Sequence, residues 1–485
     1  METTASHFGA VNTCILAVYL LAMLAIGWHF SKRQKSTTDY FLAGRKMPWL
    51  PVAMSMFASL TSAVTFMGLP AMAYHENVAL LVVCIVSPIL APILAFGLYP
   101  LYRRLHVTTS YEYIGMRYGP HARTAVASLF VLARLGWMGT VIYAPAVALV
   151  VATGIPKGTA ILLMGIMATA YTAMGGLAAV LWTDVAQFII LVGGAIWVGV
   201  VLMLRIPEGL SGILAEARAA EHFQVFSTHF SLVEMSGLVV AVSFFLQMLQ
   251  DYGTDQITVQ RMLAIRDDRG VLKATLFNAL TDFVMIALLL FIGLGLFVFY
   301  RLNPADFSGL PDDGILPYFV MKQLPVGISG LIISAVFAAA MSSMDSGINS
   351  LATVIQHDFL SRFRRAPVND ARAVRTARIL TVALGILATG LAFYVAQIGQ
   401  IVKAFATFMG MFSAPILALF VMGFVSRRTH FIPWLIGAIV SIPASLWLQN
   451  TVETHWVYFF PFSFSLTATI TWLLSYLIPP PPQTH

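Results

Sequence analysis

Charge is scarce in this chain, and the scarcity excludes the largest class of proteins. Asp, Glu, Lys and Arg make up 10% of the 485 residues against 59% apolar ones, whereas a soluble globular chain carries about 25% charged residues. Water cannot be the solvent for most of such a surface. Cysteine is scarcer still: Cys14 and Cys84 are the only two. Both fall inside apolar stretches, which excludes a disulfide framework and a cysteine metal site. No lysine or arginine precedes the first apolar run, and Lys32, Arg33 and Lys35 follow it. A cleaved signal peptide has the reverse order, so the run is expected to be a permanent helix with its amino terminus outside. No phosphate-cradling glycine loop, HExxH pair or nucleophile elbow occurs, so no enzyme is expected. The pI near 9.4 comes from basic residues scattered through short connectors, which argues against a nucleic-acid groove.

What the chain has is long uncharged runs. Val78 to Leu98, Ala186 to Leu204 and Ala404 to Val425 each match the ~20 residues that cross a bilayer. Reading such runs against their breakers gives about thirteen transmembrane helices in an all-α integral membrane protein. They lie near 9–30, 47–74, 78–101, 124–152, 159–173, 178–204, 232–260, 275–300, 328–359, 379–395, 404–425, 431–448 and 457–477. Connectors on one side of this layout hold 21 Lys and Arg, those on the other hold 6, and Arg134 lies within a span. The rich side is expected to be cytoplasmic. It includes the six arginines from Arg362 to Arg378 and leaves the Pro479 to Pro482 tail inside. The longest connectors, Arg205 to Ser231 and Arg301 to Val326, hold at most short surface helices, so residues 1–485 read as one membrane domain.

Transporters place their sites at interrupted helices in repeated halves, and two segments look interrupted. One is Ala58 to Gly68 in the second span; the other is Gln247 to Thr254 (QMLQDYGT) in the seventh. Ten core spans then divide into five-helix halves at 47–204 and 232–425, with 9–30 preceding them and 431–477 as two extra helices.

Ala58, Thr61, Ser62 and Thr65 recur at i, i+3, i+4 and i+7 and share one helix face. In the ninth span, AAAMSSMDSGINS places Ser342, Asp345, Ser346 and Asn349 on one face, with Ser343 beside them. Sodium is a hard cation that takes oxygen ligands, and hydroxyls together with carbonyls freed at a helix break supply them. Small residues at helix contacts are the structural alternative.

An intramembrane acid implies a partner, a watery cavity or a function. Asp184 (LWTDVAQ), Asp251 and Asp345 are the candidates, while Asp255 and Asp282 lie nearer the expected span ends and read as structural. Arg134 is the only charge of its span, with Trp137 one turn on. Its guanidinium suits a carboxylate solute, an internal aspartate, or snorkelling. Ser62, Thr65, Gln250 and Tyr252 suit hydroxyl or amide groups of a neutral solute.

FASLTSAVTFMGLPAMAY, TSYEYIGMRYG, YTAMGGLAAVLWTDVAQ, TDQITVQRMLA and AAAMSSMDSGINSLATVIQHDF resemble the sodium:solute symporter family nearly end to end. The resemblance implies the inverted five-helix repeat of the leucine transporter and Na+ as coupling ion. It implies a general sodium site at Ala58, Thr61, Ala339, Ser342 and Ser343. A second sodium site is implied at Asp184, Ser342, Asp345 and Ser346, with Asp345 standing where sialic acid carriers have a hydroxyl residue. Trp137 aligns with their carboxylate-binding arginine and Cys84 with a glutamine, whereas GTVIYAPAVAL looks nearer the iodide, multivitamin and monocarboxylate branch.

The expected function is sodium-driven import of a small solute across a cell membrane, in the first instance a small organic anion such as a monocarboxylate. A neutral sugar or amino acid is the alternative, and a non-transporting sensor on the same fold is the reading from another class. Arg134, Trp137, Ser62, Thr65, Gln250, Asp251 and Tyr252 are the expected solute ligands. The sequence is silent on the solute's name, ion count and oligomeric state.

Overall fold

The computed structural model describes residues 8–31, 41–175, 177–225, 231–304, 314–360, 370–398 and 401–479. Lys32, Arg33 and Lys35, together with Arg362, Arg364, Arg365 and the tail from Pro480, lie outside the described residues. Among the described residues every regular element is helical, as a chain in hydrocarbon requires when its backbone groups must be satisfied within the segment.

Among the described residues, nine helices are long and apolar enough to span a membrane: Ala79–Arg104, Pro120–Thr153, Leu177–Arg205, Asp268–Leu302, Ile328–Leu360, Arg375–Ile398, Ile401–Val425, Phe431–Thr451 and Trp456–Leu477. The pair Trp49–Leu60 and Ala63–His75, bent by 55°, makes a tenth when counted as one span. The count of thirteen stays an expectation: helices Ala10–Ser31 and Lys157–Gly175, of 22 and 19 residues, occupy the expected spans at 9–30 and 159–173. The expected span at 232–260 is divided into Gly237–Gly253 and Gln256–Ala264.

The long connectors carry the helices Gly209–Ala219 and Ile315–Gln323. The Ile328–Leu360 helix is the axis of the molecule, 89% buried over its most apolar window against 33% for Phe431–Thr451 and Trp456–Leu477. It packs on Leu177–Arg205, Pro120–Thr153 and the broken pair, while the last two helices pack chiefly on each other.

Both breaks follow from local chemistry. Thr61 closes the Trp49–Leu60 helix with its N–H on Phe57 O at 2.8 Å. Ser62 is extended (φ −75°, ψ 172°) and its Oγ accepts the Val64 N–H at 3.2 Å, capping the next helix. At the second break Asp255 does the same, its Oδ1 accepting the Ile257 N–H at 2.8 Å. Close approach between the first broken span and Asp268–Leu302 depends on Gly293, where a Cβ would stand 2.4 Å from the Pro70 carbonyl oxygen.

Candidate functional site

Breaking the second span frees carbonyls in the middle of the bundle. The Ser62 N–H, which an unbroken helix would direct to Ala58 O, bonds Leu60 O at 2.9 Å instead. Ser342 and Ser343 on the axial helix take up the slack: Ser342 Oγ donates to Ala58 O at 2.7 Å and Ser343 Oγ donates to Ser59 O at 2.8 Å. Ser342 Oγ also reaches Ala339 O at 3.1 Å. Ala58, Ala339, Ser342 and Ser343 are thus brought together, all fully buried, and Thr61 closes the same break. Hydroxyl and carbonyl oxygens are the donors a hard monovalent cation takes. The residues fit sodium.

One helical turn away lies a denser cluster. Asp184 Oδ2 accepts from Ser55 Oγ, and from Ser59 Oγ at 3.3 Å. Ser59 Oγ lies 2.7 Å from Ser346 Oγ, and Ser346 Oγ is 3.2 Å from Asp345 Oδ1. Asp184, Asp345 and Ser346 are therefore brought together, and a residue assigned from sequence to a cytoplasmic connector lies among them. Arg261 is 1% exposed. Its Nε donates to Ser55 Oγ at 2.9 Å, and its Nη2 donates to Asp184 Oδ2 at 3.3 Å and to Ser346 Oγ. The placement of Arg261 in an exposed connector is corrected: beyond the break at Thr254 and Asp255 the chain continues as Gln256–Ala264, buried along its whole length, so the arginine lies inside the bundle. Asp184 Oδ1 and Asp345 Oδ2 stay buried without a partner among the described residues.

The cavity beside the break is lined by Thr61, Ser62, Thr65, Arg134, Trp137, Asp251, Tyr252 and Asp282 amid aliphatic and aromatic side chains. Gln250 is buried behind this wall, its Nε2 3.4 Å from Asp255 Oδ2. The Arg134 guanidinium stacks on the Trp137 ring, 4.6 Å from its centroid. That ring in turn packs at Gly347, where a Cβ would stand 3.0 Å from it. Arg134 Nε donates to Asp255 Oδ2 at 2.9 Å, and Nη2 donates to Asp251 Oδ1 at 3.3 Å and to Asp255. Its charge is met by two carboxylates.

Sequence reasoning passed over Asp255 and Asp282 because both stood near expected span ends. Asp255 is fully buried and Asp282 is 5% exposed. The signal available was position: Asp255 directly follows Gln247 to Thr254, the segment that looked interrupted, where an aspartate can cap the helix beyond. Ser55 and Ser59 were missed as well, although they lie one turn apart and upstream of Ser62 on a helix already singled out.

A broken helix presenting carbonyls to hydroxyls at the centre of an all-α membrane bundle, beside a cavity, defines a cation-coupled secondary transporter. The chain belongs to the sodium:solute symporter family, whose model matches residues 40–440. It is 31% identical to the sodium/sialic acid symporter of Aliivibrio fischeri over 94% of this chain and 91% of that protein. It is 30% identical to the sodium-dependent multivitamin transporter of Oryctolagus cuniculus over 92% of this chain and 71% of that one. Overall identity thus gives the multivitamin and monocarboxylate branch no precedence over the sialic acid symporters, contrary to the expectation from GTVIYAPAVAL.

Among solved structures, a substrate-bound outward-open sodium-coupled sialic acid symporter matches with a TM-score of 0.89 at 28% identity, covering 98% of this chain and 99% of that one. A nucleobase-cation-symport-1 family transporter matches at 0.56 and 16% identity, covering 93% of this chain and 97% of that one, and shows the shared leucine-transporter-type fold. Na+ is the coupling ion of this family, and the chain is a multi-pass membrane transporter.

Proposed function

We propose that the chain moves a small, largely apolar organic solute down a sodium gradient by alternating access, with the solute in the cavity beside the broken second span. Sodium is held by the Ala58 carbonyl, Thr61, the Ala339 carbonyl, Ser342 and Ser343. The observation that carries this reading is the pair of bonds from Ser342 and Ser343 to Ala58 O and Ser59 O. These bonds tie the axial helix to the same break whose Thr61, Ser62 and Thr65 line the cavity. An ion bound there stiffens the break, and the stiffened break shapes the solute site. Each sodium entering with a membrane potential supplies roughly 2.3 kcal/mol per 100 mV besides its concentration term.

An anionic solute, such as a sialic acid or a monocarboxylate, is the reading that the relatives' names favour. In this chain such an anion meets Trp137 and a guanidinium already bonded to Asp255 and Asp251, so its support comes from the relatives alone. A neutral sugar or amino acid needs no free cation. The test is uptake into proteoliposomes of purified protein under an inward sodium gradient. Accumulation that collapses when sodium is replaced by choline supports symport; sodium-independent equilibration points to a channel, and sodium binding without any flux points to a sensor.

A further inference from the structure

Three acids and one base surround the cavity's polar side. Arg134, Asp251 and Asp282 line it, and Asp255 stands behind Arg134. The guanidinium is spent on Asp255 and Asp251. Asp282, on the Asp268–Leu302 helix, receives no cation at all among the described residues. Ser87 Oγ donates to its Oδ2 at 2.8 Å and Tyr252 OH donates to the same oxygen. Both donors go to one oxygen, no described group donates to Oδ1, and the residue lines the cavity. Asp282 is nonetheless 5% exposed. A carboxylate so enclosed, at membrane depth and without a counter-charge, is unfavourable until something supplies one. A solute of net negative charge would add to a wall that has no unspent positive group.

We propose that the transported solute carries a protonated amine, and that this amine binds Asp282 Oδ1. The proposal rests on the cavity being the solute site. A polyol is a poorer match, because Arg134 and Asp251 are bonded to each other, Tyr252 to Asp282, and beyond these and Thr61, Ser62, Thr65 and Gln247 the lining is aliphatic and aromatic. An ammonium on a small apolar body satisfies both halves of the wall: N–H donors meet Oδ1 as charge-assisted hydrogen bonds, and the body lies against Phe57, Leu60, Phe244 and Met248.

The test uses purified full-length protein and matched solutes built on the valine, proline and phenylalanine bodies: each amino acid, the amine lacking its carboxylate, and the carboxylate lacking its amine. Pyruvate, N-acetylneuraminate and glucose serve as amine-free references. Sodium-dependent thermal stabilisation gives binding, and sodium-gradient currents in proteoliposomes give transport. Amine-bearing members are expected to bind and move in sodium while their amine-free counterparts do not. Asp282→Asn, which keeps the acceptor for Ser87 and Tyr252, should weaken them at least tenfold. Asp282→Glu should retain measurable binding, and sodium stabilisation alone should be unchanged in both. If Asp282→Asn does not fold, the wild-type panel with Asp282→Glu still decides.

Sodium-dependent binding of an amine-free solute that Asp282→Asn leaves intact overturns the amine assignment, as does sodium stabilisation with no response to any amine. Loss of sodium stabilisation in the wild type would instead overturn the symport reading.

Discussion

Asp255 holds Arg134 with one carboxylate oxygen and a helix with the other: Oδ2 accepts the Arg134 Nε–H at 2.9 Å, and Oδ1 accepts the Ile257 N–H at 2.8 Å. A single aspartate thereby couples the cavity wall on Pro120–Thr153 to the second helix break. The pair explains why an arginine can sit at membrane depth with 1% of its surface exposed, since breaking such a buried pair costs about 3 to 5 kcal/mol when one charge is left alone.

Arg134→Gln is expected to destabilise the protein by about 3 kcal/mol or more, because Asp255 and Asp251 are then left facing each other without a cation. Arg134→Gln combined with Asp255→Asn should recover most of that loss, which thermal unfolding of the three variants in detergent measures. Additive losses would show that the arginine and the aspartate act separately.

Ser343→Ala removes one hydroxyl of the proposed sodium site and the bond to Ser59 O while leaving helix packing nearly intact. The half-saturating sodium concentration should rise about tenfold, equivalent to roughly 1.4 kcal/mol, with solute affinity at saturating sodium little changed. Sodium activation curves in proteoliposomes read this directly, and wild-type half-saturation in the variant would remove Ser343 from the site.

Asp184, Asp345 and Arg261 carry two negative charges and one positive at their usual ionisation, which leaves one negative charge for a coupling cation. Asp345→Asn should therefore lower the Hill coefficient for sodium toward one. Arg261→Gln should lower thermal stability in sodium-free buffer and enlarge the stabilisation that added sodium gives, as the ion takes over from the guanidinium. A Hill coefficient of about one in wild type and Asp345→Asn alike would mean a single coupling ion, with these acids held by Arg261 alone.

Gly293→Ala should destabilise the bundle by about 1 to 3 kcal/mol, since its Cβ would meet the Pro70 carbonyl at 2.4 Å and backbone cannot swing aside. Gly193→Ala is the matched control: nothing lies within 4 Å of its Cβ, and alanine gains up to about 1 kcal/mol of helix propensity over glycine. Thermal unfolding of the two variants should therefore move in opposite directions.

The class of this protein was legible from composition and run length, because hydrocarbon admits long apolar helices and little else, and no packing detail can reverse that. The hydroxyl face of the axial helix was legible too, since Ser342, Asp345, Ser346 and Asn349 share it by helical period alone; Ala58, Thr61, Ser62 and Thr65 do not share one, because the helix ends at Leu60 and a second, bent by 55°, begins at Ala63. The interruptions were legible as well, in Ala58 to Gly68 and Gln247 to Thr254; what period and run length cannot show is which side chains then meet across the bundle. Arg261 looked like one more basic residue in a connector, whereas Gln256–Ala264, the helix that carries it, is buried along its whole length. Arg134 and Asp255, 121 residues apart, carry nothing in their local sequence that names the other as partner. Ion pairing and cavity walls are made by side chains from separate helices, so their charge balance is a property of the packed bundle, and only the tertiary structure decides whether a guanidinium faces a solute or an aspartate.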